Sequence, residues 1–180
     1  TMDIVWNAID AKIPTRITGV GEEFNPDVTP VRMTSTFEHP ANDWRPAITV
    51  KWYQGGDMPK SPLKYVDLTQ TGHGAMFQGT KGFLVCNFDT RVVIPYTDSA
   101  DMSYYQPRKE EDVIPPLGHF QQEWIDACKN GGKTACDFEY SGDMIEQLLL
   151  GLAAYRHGGP IDYDPKAGRI TNSESANQYL

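Results

Sequence analysis

The sequence is short of cysteine, of positive charge and of long apolar runs, and each shortage closes off a class of protein. Three cysteines, Cys86, Cys128 and Cys136, are too few and too odd in number for a disulfide framework. Cys128 and Cys136 straddle a Gly-Gly turn and could pair; the other reading makes all three small buried hydrophobes. A formal net charge of −8 and a pI near 4.9 argue against nucleic acid and anionic membranes as partners, since both repel an acidic surface. The longest apolar run, Leu148 to Tyr155, falls well short of the roughly 18 residues a membrane helix needs.

Signatures of catalysis are equally scarce. Gly19 to Phe24 (GVGEEF) half-matches a dinucleotide fingerprint but lacks its third glycine. Its two glutamates would repel a pyrophosphate. Asp162 to Gly168 (DYDPKAG) has its glycine at the seventh position and Ser173 at the twelfth, so it reads as a turn, not a calcium loop. His39, His73, His119 and His157 are scattered, without metal-ligand spacing. No G-x-S-x-G nucleophile motif occurs.

What is present is a strand-rich domain of 180 residues, long enough to bury roughly 70% of its unfolded surface in one core. Met2, Val5, Trp6, Ile9 and Ile13 recur at helical spacing, which predicts a buried helix running to Pro14. Asp3, Asn7 and Asp10 line another face of it. Such a helix at the first residue, with no cap before it, is expected of a chain that continues upstream. Thr15 to Phe24 follows as a strand.

Met33, Ser35 and Phe37, preceded by Val31, alternate with Arg32, Thr34, Thr36 and Glu38. Ile48, Val50 and Trp52 alternate with Thr49, Lys51 and Tyr53. Strict alternation predicts a sheet with one core face and one polar face. Gly79 to Gly82 (GTKG) reads as a hairpin turn, and Arg91 to Tyr96 continues the run. Strands joined without helices between them predict an antiparallel meander.

Two helices come next. In one, Phe120, Trp124, Ile125 and Cys128 share one face, and Gly131 and Gly132 end the helix. The other is capped by Ser141, has Asp143 in its first turn and stops at Gly158. A strand, turn and strand close the chain. Gln54 to Gly74 and Thr97 to Gly118 read as long loops, either functional or plain surface. Trp44, Trp52, Tyr53, Tyr104 and Tyr105 offer aromatic surface for a sugar or a protein partner.

The stretch HFQQEWIDACKNGGKTACDFEYSGDMIEQLLLGLAAYR, with YDPKAGRITNSESAN after it, closely resembles the C-terminal domain of Gfo/Idh/MocA oxidoreductases. MDIVWNA, VRMTSTFEHPA and HGAMFQGTKGFLV extend the likeness over the whole chain. The resemblance implies an α+β fold: an open, mostly antiparallel sheet with helices on one face, of the dihydrodipicolinate reductase-like kind. It implies one domain, residues 1–180, that shapes a substrate site and makes oligomer contacts. An N-terminal Rossmann domain carrying NAD or NADP and a catalytic lysine would lie outside this chain, so the fragment alone would be inactive and bind no cofactor. Some relatives are exported, which leaves the compartment open.

Asp3 matches the aspartate of the family's H-x-x-D pattern, and the histidine would stand just before Thr1. That histidine is thought to move a proton at a substrate hydroxyl. Asp3 also reads as a helix N-terminal charge meeting the dipole. Substrate-side candidates are Asp3, Asn7, His73 and His119. Thr34, Thr36, Thr49, Lys51 and Tyr53 are the candidate homo-oligomer face. The substrate implied is a sugar, polyol or related compound. A stand-alone carbohydrate-binding or protein-interaction module is the competing reading.

Overall fold

A computed structural model describes residues 1–63, 66–101, 109–113 and 118–180. Helix α1 (Met2–Ala8) leads into β1 (Arg16–Gly21), β2 (Met33–His39) and β3 (Ile48–Gln54). Next come β4 (Ala75–Gln78), β5 (Gly82–Cys86) and β6 (Arg91–Pro95). Helices α2 (Phe120–Asn130) and α3 (Phe138–His157) precede β7 (Ile161–Asp164) and β8 (Arg169–Ile170).

The α+β class and the antiparallel pairing agree with the sequence, but the strands divide into two sheets rather than one. The larger has the order β3-β2-β1-β7-β8 and the smaller β4-β5-β6. All pairs are antiparallel. The predicted GTKG turn closes the β4–β5 hairpin, with Gly79 N–H donating to the Gly82 carbonyl.

Register assigns the faces of the larger sheet. Ile17 pairs Phe37, which pairs Val50, and all three are buried. With Ile161 and Ile170 they form the core under α3, to which Met2 and Trp6 of α1 add. The opposite face carries Thr18, Thr34, Thr36 and Tyr53, half-buried among themselves, and the exposed Val20, Glu38, Thr49 and Lys51.

Helix α3 can sit on the sheet only because two glycines make room, Gly19 of β1 for the α3 backbone and Gly151 of α3 for the side chains of β2. A Cβ on Gly19 would stand 2.5 Å from the Gly151 carbonyl oxygen and 2.7 Å from the Tyr155 nitrogen. One on Gly151 would meet Ser35 Cβ at 2.8 Å. The GVG stretch is therefore a packing device on a strand.

Several expectations need correction. Helix α1 ends at Ala8, not Ile13; Asp10 turns the chain with φ +46°, and Arg45 takes the Ile9 carbonyl. The strand expected over 15–24 covers Arg16–Gly21, and Val31 lies outside β2, exposed. Helix α3 starts a turn early: Asp137, not Ser141, is its cap, accepting from Tyr140 N–H at 2.9 Å, and Glu139 rather than Asp143 is its first-turn acid. Cys86 is buried, whereas Cys128 and Cys136 are free and exposed.

The largest difference is α2, which buries none of its residues. Phe120 (73% exposed), Trp124 and Ile125 face outward, as do Phe138 (88%), Ile145 and Leu149 of α3. Amphipathic patterning locates an apolar stripe but does not say which surface covers it.

Replacing Gly19 by Ala pits a methyl group against helix backbone that cannot rotate aside. The expected loss is about 3 kcal/mol, the upper part of the usual overpacking range. Urea unfolding reads it as a lower midpoint at unchanged slope.

Candidate functional site at the junction of α1 and α3

Met2 and Trp6 anchor one side of α1 in the core, which leaves Asp3 and Asn7, one turn apart, on its exposed side. Tyr140, in the first turn of α3, reaches across. Its hydroxyl donates to Asp3 Oδ1 at 2.6 Å, and the Asn7 side chain faces the same phenol. Tyr140 is held in turn by the Asp137 cap, whose other oxygen lies 3.8 Å from Lys133 Nζ. Beside it, Cys136 Sγ and Ser141 Oγ are 3.0 Å apart.

Partial burial, and then the hydrogen bond to the Asp3 carboxylate, push the Tyr140 phenol up to about 12. Tyr140 therefore stays protonated near neutral pH. It is a fixed donor and not a base. Asp3 is a charged acceptor oriented from α3, and among the described residues no second hydrogen bond occupies its Oδ2. A positioned carboxylate with an amide, a thiol and a hydroxyl nearby can accept and donate to hydroxyl groups. It has no nucleophile–base pair of its own.

The four substrate-side candidates do not all meet. Asp3 and Asn7 share Tyr140. His73 lies exposed between Gly72 and Gly74, ahead of β4. His119 is the residue before α2 and borders an open groove of about 520 Å³ with Gln122, Glu123, Asp126 and Lys133. Among the described residues neither histidine hydrogen-bonds to Asp3, Asn7 or Tyr140. Sequence reasoning missed Tyr140, Cys136 and Ser141. No local pattern ties Tyr140 to a carboxylate at the other end of the chain.

The candidate oligomer residues do share a face. Thr34 pairs Tyr53, Thr36 pairs Lys51, and Thr49 pairs Glu38. Of the aromatic residues, Trp44 is 63% exposed, whereas Trp52 packs against the core and donates to Gln54. Tyr53 lies on the open sheet face, and Tyr104 and Tyr105 lie outside the described residues.

No family model matches this sequence, and no curated protein matches it. Among solved structures, the chain is similar to an oxidoreductase from Agrobacterium radiobacter, determined in complex with NAD+, L-tartaric acid and magnesium. The identity is 13% over 89% of this chain and 46% of that one, with a TM-score of 0.45. This chain thus spans about half the length of that protein. A likeness at that level bears on neither family nor activity.

Asp3→Asn should lower the Tyr140 titration part of the way from about 12 toward the ordinary 10, burial keeping the remainder. The tyrosinate absorbance difference between each protein and its Tyr140→Phe counterpart measures it. Tyr140→Phe should also cost about 1 kcal/mol of stability for one lost hydrogen bond.

Proposed function

We propose that this chain is the substrate-binding and oligomerisation domain of an NAD(P)-dependent oxidoreductase of the Gfo/Idh/MocA kind, acting on a sugar, polyol or related compound. Alone it is inactive, because hydride transfer needs the nicotinamide and the domain that holds it. The observation that carries this reading is half a site beside a bare surface. Asp3 is fixed by Tyr140 on the exposed side of α1, and two helices leave apolar stripes uncovered, Phe138, Ile145 and Leu149 on α3 and Phe120 and Trp124 on α2. Patches of this kind mark protein contacts. A nucleotide-binding domain that covered these stripes and also reached the exposed side of α1 would bring a cofactor to the carboxylate. Asp3 would orient a substrate hydroxyl, and proton transfer would fall to groups that domain supplies.

The open sheet face is the proposed contact with a second copy. Its β-branched residues stand in ladder register, and a two-fold pairing would cover Val20, Thr34, Thr36 and Tyr53 on both subunits. The exposed Trp44 favours the competing reading, a carbohydrate-binding module working without a cofactor domain.

Titration calorimetry of the chain against NAD(H), NADP(H) and a sugar panel separates the two. No nicotinamide binding by the chain alone is expected. Tight binding there would overturn the division of labour, and micromolar sugar binding without cofactor would favour the module. Sedimentation should show a dimer, and Thr36→Arg should weaken it at least about tenfold by burying an unpaired charge. A strict monomer at high concentration would sink the sheet-face contact.

A further inference from the structure

The buried polar group that the proposed site does not use is His39. It ends β2 on the helix-covered face and is 2% exposed, edge-on to Trp6 of α1 with ring centroids 6.5 Å apart and planes at 80°. Gln147 of α3 and the Lys12 main chain face the ring, but neither closes a hydrogen bond of normal geometry. From β3 the ladder neighbour is Ile48.

The charged group acting on His39 is Arg45, itself buried. Arg45 donates through Nε to the Ile9 carbonyl at 2.6 Å, and through Nη1 to Pro40 at 2.7 Å and Pro46 at 3.1 Å. It therefore closes the C-terminal end of α1, where Asp10 sits at positive φ.

Among the described residues, no carboxylate pairs with either group. Asp3, Asp10, Glu38 and Asp43 on the surrounding segments are exposed; Asp3 is engaged by Tyr140, and Asp10 lies 3.8 Å from Lys12 Nζ. On α3 the half-buried Glu146 is taken by Tyr163, and the charged groups acting on the imidazole do not include Asp143. On β3, Lys51 belongs to the opposite face.

We propose that His39 is a pH-sensitive latch on α1. The neutral ring lets the helix dock, and the protonated ring, packed beside Arg45 without a counter-charge, releases it. A seven-residue helix cannot stand without docking, so release removes Asp3 and Asn7 from Tyr140. The direction follows from proton linkage. Burial, and then the Arg45 charge, lower the His39 pKa below the ordinary 6.5. The unfolded or undocked chain binds the proton more readily, so docking is at full strength above that value and weakens as the pH falls below it. The latch stands whether or not the chain works beside a cofactor domain.

The test is amide exchange by NMR on the chain, corrected for intrinsic rates, between about pH 7 and pH 5. Protection in residues 2–11 should fall at least about tenfold, while core amides of β1 and β2 stay protected. The His39 ring, followed in the same samples, should titrate with the same midpoint. His39→Gln, neutral throughout, should make α1 protection independent of pH. Flat α1 protection in the wild type, simultaneous loss across the sheet, or an unchanged fall in His39→Gln would each overturn the latch. If His39→Gln does not fold, the wild-type midpoints decide: a ring that titrates apart from α1 release overturns it.

Discussion

The contact between Gly19 and Gly151 is the constraint on which the rest of the structure depends. Without a side chain on Gly19, α3 lies against β1 at backbone distance, and without one on Gly151 it clears Ser35 and Phe37 of β2. That approach seals Ile17, Phe37 and Leu150 from water. It also sets the height at which the first turn of α3 passes α1, and so the reach of Tyr140 to Asp3. Dispersion falls steeply with separation, so a gap of even one methyl group would loosen both core and site. The glycines that faintly suggested a phosphate loop serve helix packing instead.

Helix α1 is the element with the least support of its own. It is short, has no side-chain cap and is followed, two residues past its end, by Asp10 at positive φ. It is held by Met2 and Trp6 in the core, the latter against His39, by Tyr140 at one end and by Arg45 at the other. Because the exposed carboxylate and amide ride on this helix, their placement at Tyr140 depends on its docking. An element of low local stability that carries functional groups is a natural place for regulation.

The apolar stripes of α2 and α3 and the β-branched sheet face give the chain two surfaces of different character. The first is aromatic and aliphatic, the kind that enters a lasting contact. The second is made of Thr, Val, Tyr and Lys in ladder register, the kind that two copies can share. The α3 stripe and the Thr-rich face lie on opposite sides of the larger sheet.

Much of this was legible in the residues. Alternation in 33–37 and 48–53 fixed which side chains enter the core, because a strand has a period of two and a register slip would invert it. Gly158 marked the end of α3, and GTKG marked a hairpin. The exposed positions of Asp3 and Asn7 followed from helical spacing. Three things did not follow. Periodicity in α2 located an apolar stripe without its partner. The strand count could not reveal two sheets, since pairing depends on where long loops return the chain. Nor could the sequence pair Asp3 with Tyr140 or Arg45 with the Ile9 carbonyl. Local spacing determines faces and termini through backbone geometry. Only the folded chain, by packing α3 on β1 at glycine distance, decides which faces meet.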